Sequence, residues 1–171
     1  MIQLLLRITM LSALTLGAAY GQDRPNVIVM VADDLGWNDV GYSGGDIETP
    51  ALDRLAAEGI QLDRFYTTPI CSPTRAALMT GRNPMRLGIA YGVILPWDNI
   101  GVHPDERFLP ESFLDAGYQT AMVGKWHLGF EENGYENPLP GGPVDVGFHS
   151  YFGIRASTDI PPYFYIKDRN A

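Results

Sequence analysis

The chain has 171 residues, 46% of them apolar and 19% charged, with 20 acidic against 12 basic side chains and a formal net charge of −8. That balance excludes a nucleic-acid binder working through a basic face, and the single cysteine excludes a disulfide framework or a metal site built on several thiolates. The apolar share is enough for one globular domain with a sizeable core.

The opening MIQLLLRITMLSALTLGAAYGQ carries one early charge, Arg7, then an apolar run from Ile8 to Gly17, then small residues around Ala19 and Gly21. This pattern predicts a secretory signal peptide over residues 1–21. Thr9, Ser12 and Thr15 interrupt a run already shorter than the ~20 apolar residues a membrane span needs. The expectation is therefore a secreted or periplasmic protein, handled by export machinery, with no stable membrane anchor. Loss of Arg7 leaves residues 22–171 one charge more negative, and nucleic acid is not expected as a partner.

NVIVMVADD, Asn26 to Asp34, is a continuous β-branched apolar run ending at two aspartates, the pattern of a strand buried on both faces of a parallel sheet. A Gly-rich loop follows. TPALDRLAAEG then predicts a helix with Thr49 as N-cap, Pro50 at its first position, Gly59 past its end and Leu52, Leu55 and Ala56 on one apolar face. IQLDRFYT reads as a short strand. Pro73 fits the first turn of a helix through TRAALMT closed by Gly81, which puts Cys71 just before the helix start. ERFLPESFLDAGY predicts a helix ending at Gly117, and QTAMVG a strand that delivers Lys125, Trp126 and His127 at its carboxyl end. From Glu131 onward the Gly-, Pro- and aromatic-rich text reads as long surface loops without helix or strand. Alternation of strand and helix points to α/β architecture.

In open α/β sheets ligands bind beyond the carboxyl ends of the strands. Asp33 and Asp34 are adjacent carboxylates, hard oxygen donors suited to calcium or magnesium, though the same pair reads equally as a solvated turn. Lys125, His127 and Arg75 together would form a cationic pocket for a tetrahedral oxyanion. Taken singly, they read as a surface lysine, a packed histidine and a surface arginine. A helix start at Pro73 favours an anion beside residue 71.

CSPTRAALMTGR, Cys71 to Arg82, resembles the sulfatase signature Cys-x-Pro-x-Arg with its Thr-Gly-Arg continuation. PNVIVMVADDLGWNDVGYSGG, TPALDRLAAEG and GYQTAMVGKWHLG are similar to that family's successive landmarks, in order. The resemblance implies a mixed, largely parallel sheet sandwiched by helices, of the alkaline phosphatase and sulfatase kind, and a sulfuric ester hydrolase acting on an aryl or carbohydrate sulfate ester. It implies that a maturation enzyme, reading Pro73 and Arg75 in the extended segment, oxidises Cys71 to Cα-formylglycine, whose hydrate supplies the nucleophile. Calcium, with magnesium as the alternative, would be held by Asp33, Asp34 and the modified Cys71. Arg75 would steady the hydrate, Lys125 and His127 would hold sulfate and the leaving oxygen, and Ser157 in RASTDIPPY would contact substrate. Sulfatases are longer than this chain, so residues 22–171 are expected to be an N-terminal portion of the catalytic domain, inactive on its own. The alternatives are a non-catalytic truncated remnant and a phosphonate or phosphate ester hydrolase of the same superfamily.

Overall fold

The computed structural model describes residues 24–131 and 134–171. The expected signal peptide, residues 1–21, lies outside the described residues. The chain divides into two compact units, one ending at Pro50 and one starting at Ala51. No helix among the described residues is long and apolar enough to cross a membrane.

In the first unit, the expected strand over Asn26–Asp34 is not formed. Residues 24–32 carry no regular structure, and Val27, Ile28, Val29, Met30 and Val31 are all exposed, Ile28 at 82% and Met30 at 72%. A strand exists only with ladder partners, and the three strands of the described residues pair with one another. Asp33 and Asp34 then form an exposed turn in which Asp34 takes a left-handed backbone, φ 58°. Two short 3-10 turns follow, Trp37–Asp39 and Gly41–Ser43. Gly45 is required here, because a Cβ on it would lie 2.2 Å from the Asn38 carbonyl oxygen. The Thr49 hydroxyl accepts a hydrogen bond from the Gly41 N–H at 2.8 Å.

The helix α1, Pro50–Glu58, has the expected bounds, and Gly59 closes it by donating to the Leu55 carbonyl at 2.9 Å. Its expected apolar face is not buried, for Leu52 and Leu55 are 38% and 55% exposed. The short strand expected over IQLDRFYT is also missing. Residues 60–67 are irregular, with Ile60, Leu62, Phe65 and Tyr66 exposed, again because no strand edge pairs with them.

From residue 70 onward the second unit is ordered around a core. Helix α2, Cys71–Thr80, starts from an extended Ile70 and ends on Gly81, whose φ of 67° only glycine adopts without strain. Cys71 is thus the first helical residue, not the residue before the helix. Helix α3, Leu109–Asp115, begins with Glu111 accepting the Phe108 N–H at 2.6 Å. Strand β1, Ala121–Lys125, then pairs in parallel with β2, Ser150–Ile154, with Lys125 opposite Ile154. Strand β3, Ile166–Lys167, runs antiparallel to β2. This is a mixed, partly parallel sheet with helices, the expected α/β class. The strands β2 and β3 correct the reading of everything after Glu131 as loop. Tyr151, Ile166, Trp126, Leu128, Phe130, Leu139, Phe108, Ile94 and Ala76 make the core.

Gly153 decides how closely β1 and β2 approach. A Cβ on it would sit 1.8 Å from the Gly124 carbonyl oxygen and 2.8 Å from the Tyr151 hydroxyl. Into that side-chain-free space Tyr151 extends its hydroxyl, donating to the carbonyls of Gly124 and Ile154 at 3.1 and 2.8 Å. Burial raises the Tyr151 pKa well above its ordinary value of 10.0, opposed by the positive charge of Arg75.

Candidate active site

The site assembles where β1 and β2 end. Their parallel ladder continues past the strands, with Trp126 N–H donating to Ile154 at 3.1 Å and His127 N–H donating to Arg155 at 3.0 Å. His127 itself takes a left-handed backbone, φ 60°, and is 1% exposed. The strand therefore does not run on through it, and the expectation that two-residue spacing would set Lys125 and His127 on one strand face does not hold. What joins them is their place at the carboxyl end of β1, Lys125 as its last residue and His127 in the turn that leaves it.

Helix α2 is fastened to this turn at two points. The Ser72 hydroxyl donates to the His127 carbonyl at 2.8 Å and accepts the Ile94 N–H at 3.0 Å, and Ser72 is fully buried. One turn later the Arg75 guanidinium donates to the Lys125 carbonyl. Cys71 precedes Ser72 and is half-buried. The first turn of α2 thus sets Cys71 and Arg75 beside the backbone that carries Lys125 and His127. Ile70 caps the helix with no side-chain bond, so the first N–H groups of α2 lie at residue 71 with the positive end of the helix dipole.

Ser157 follows β2 by three residues and reaches the same end of the sheet, since Arg155 is laddered to His127. The Ile160 N–H donates to the Ser157 carbonyl at 3.2 Å, closing a turn that presents Asp159 to solvent. The Ser157 hydroxyl bonds the Asp159 carboxylate and is the main reason its pKa lies below the ordinary 3.8; a backbone hydrogen bond adds to this, and the charges of Lys125 and His127 contribute less. Asp159 was not among the residues singled out from sequence. Its only sequence signal is the Ser-x-Asp spacing ahead of Pro161 and Pro162, which marks a turn and no chemistry. Ser72 was missed for the same reason: a serine between cysteine and proline gives no sign that it will be buried.

Cys71, Arg75, Lys125, His127 and Ser157 all belong to the unit from Ala51 onward. Asp33 and Asp34 belong to the first unit, where they are neighbouring exposed carboxylates at a turn. Two exposed hard oxygen donors side by side fit a divalent cation such as calcium in donor type and charge.

Residues 25–169 match the family model described as Sulfatase. The N-acetylgalactosamine-6-sulfatase of Canis lupus familiaris is 41% identical over 172 residues, covering 90% of this chain and 32% of the relative. Arylsulfatase A of Homo sapiens is 40% identical over 156 residues, covering 90% and 30%. Among solved structures, a Bacteroides thetaiotaomicron protein from work on the metabolism of multiple glycosaminoglycans superposes with a TM-score of 0.79 at 31% identity, covering 87% of this chain and 32% of that one. A sulfatase from Pseudoalteromonas sp. gives 0.66 at 36% identity, covering 86% and 29%. The chain spans about a third of the length of these relatives.

Proposed function

Because the chain belongs to the sulfatase family, we propose that it carries the nucleophile-bearing half of a site that hydrolyses an aryl or carbohydrate sulfate ester. The observation that supports this most is the double fastening of α2 to the end of β1, through Ser72 to His127 and through Arg75 to Lys125. A tetrahedral dianion needs fixed cations and N–H donors, and this arrangement holds Arg75, Lys125, His127 and the start of α2 around residue 71.

In this reading Cys71 is converted to Cα-formylglycine, whose hydrate provides an oxygen nucleophile that a thiol cannot. Asp33 and Asp34 hold calcium, which polarises sulfate oxygens when bound. This chain's own residues do the rest. Lys125 and His127 bind the sulfate and the bridging oxygen, and Arg75 neutralises charge beside residue 71. Its tie to the Lys125 carbonyl fixes the guanidinium in place, so less ordering is lost on binding. Ser157 contacts the ester from the loop after β2. A leader over residues 1–21 would bring the protein to the periplasm or outside the cell, and the enzyme that oxidises Cys71 is its maturation partner.

The test is the mass of the tryptic peptide Phe65–Arg75, taken from protein exported by a host that has the maturation enzyme. The expected mass is that of an aldehyde in place of the thiol. A peptide whose Cys71 remains an alkylatable thiol in that host would overturn the modified-nucleophile reading.

A further inference from the structure

Anion sites built on lysine, histidine and arginine gain nothing from a carboxylate at their edge, since it weakens the field that holds the anion. Yet the loop leaving β2 places one there. Arg155 is laddered to His127, the Ser157–Ile160 turn follows directly, and Asp159 occupies its exposed corner with its carboxylate held by the Ser157 hydroxyl. Lys125 and His127 are near enough for their charges to act on it. Asp159 buries nothing, so packing does not account for its presence. The Ser157 bond fixes the carboxylate in direction, which a charge serving only solubility does not need.

We propose that Asp159 is a specificity-determining residue that reads the leaving group beside the sulfate, accepting hydrogen bonds from neutral neighbouring hydroxyls and repelling a second anionic substituent. This rests on the sulfate-ester reading of the site given above. The substrate class it selects is a monosulfated, hydroxyl-bearing leaving group such as a neutral sugar, in preference to one carrying two sulfates close together. Carboxylate acceptors form charge-assisted bonds to hydroxyls, whereas a like charge brought against a fixed carboxylate is disfavoured. Asp159 thus supplies attraction toward one class and exclusion of the other. Ser157 is then a positioning residue for Asp159 as well as a substrate contact.

The test measures binding to the full chain by ligand-observed NMR with three probes: inorganic sulfate, glucose 6-sulfate and glucose 3,6-disulfate. The wild-type chain should bind the monosulfate about three- to tenfold more tightly than the disulfate, the range expected for a partly screened like-charge contact. Asp159→Asn keeps the turn and an acceptor but removes the charge. It should bring that ratio near one and leave the affinity for inorganic sulfate equal or tighter. Asp159→Glu should keep the preference, and raising the salt should shrink it, a response that a purely structural role would not give. If inorganic sulfate binds but the wild type shows no preference, or Asp159→Asn retains it, the role of Asp159 is overturned and the sulfate reading stands. If none of the three probes binds the wild type, the sulfate reading itself fails, and this inference fails with it.

Discussion

The Ser72 hydroxyl uses both of its hydrogen-bonding roles on backbone, donating to His127 and accepting from Ile94, from a fully buried position. Ser72→Ala would leave a buried carbonyl and a buried N–H without that partner. The expected loss is about 1–3 kcal/mol of stability, the cost of orphaning buried polar groups, read as a lower denaturant midpoint with an unchanged slope. A drop of less than about 0.5 kcal/mol, the range of an ordinary surface substitution, would show that the bridge is not made. At this scale the sequence speaks clearly only where chemistry is rare. Cys71, Pro73 and Arg75 are legible because their spacing is specific. Ser72 and Asp159 are common residues whose roles come from partners far along the chain, so nothing local marks them.

Among the elements, α2, α3 and β1 were readable because their ends are written in residue types: Pro73 in the first turn, Gly81 and Gly117 past the helix ends, and Gly124 before Lys125. Strand β2 was not, since SYFGI is short, lies in Gly-rich surroundings and earns its place by pairing with β1. Its Gly153 is the element's most restricted residue. Gly153→Ala would drive a methyl into the Gly124 carbonyl and the Tyr151 hydroxyl, so β1 and β2 must separate or the tyrosine must leave its two acceptors. The expected destabilisation is about 3 kcal/mol, measured by thermal melting, together with loss of near-ultraviolet circular dichroism from Tyr151. A melting temperature within a degree of wild type would contradict the close approach.

For the whole molecule, the run Val27–Val31 inverts the usual relation between apolarity and burial, for it is among the most β-prone stretches and is fully displayed. Its periodicity was read correctly as that of a doubly buried strand, but burial is set by neighbours, and the described strands pair elsewhere. Amide hydrogen exchange separates the two kinds of region in this chain. Residues 27–31 should exchange at the rate of an open chain, while 122–125 and 151–154 should be protected. Protection across 27–31 at micromolar concentration would mean that another strand, from a second copy or elsewhere in the chain, pairs with it.

The Ser72 bridge also sets a time. Its carbonyl partner, His127, lies 55 residues farther along the chain, so the first turn of α2 cannot be locked until synthesis has passed that point. At about 5–20 residues per second, Cys71 is out of the synthesis site for roughly 3–11 s before His127 is made. Any enzyme that requires Cys71 in an extended segment meets it unlocked during that interval, and thereafter competes with a helix fastened to the sheet.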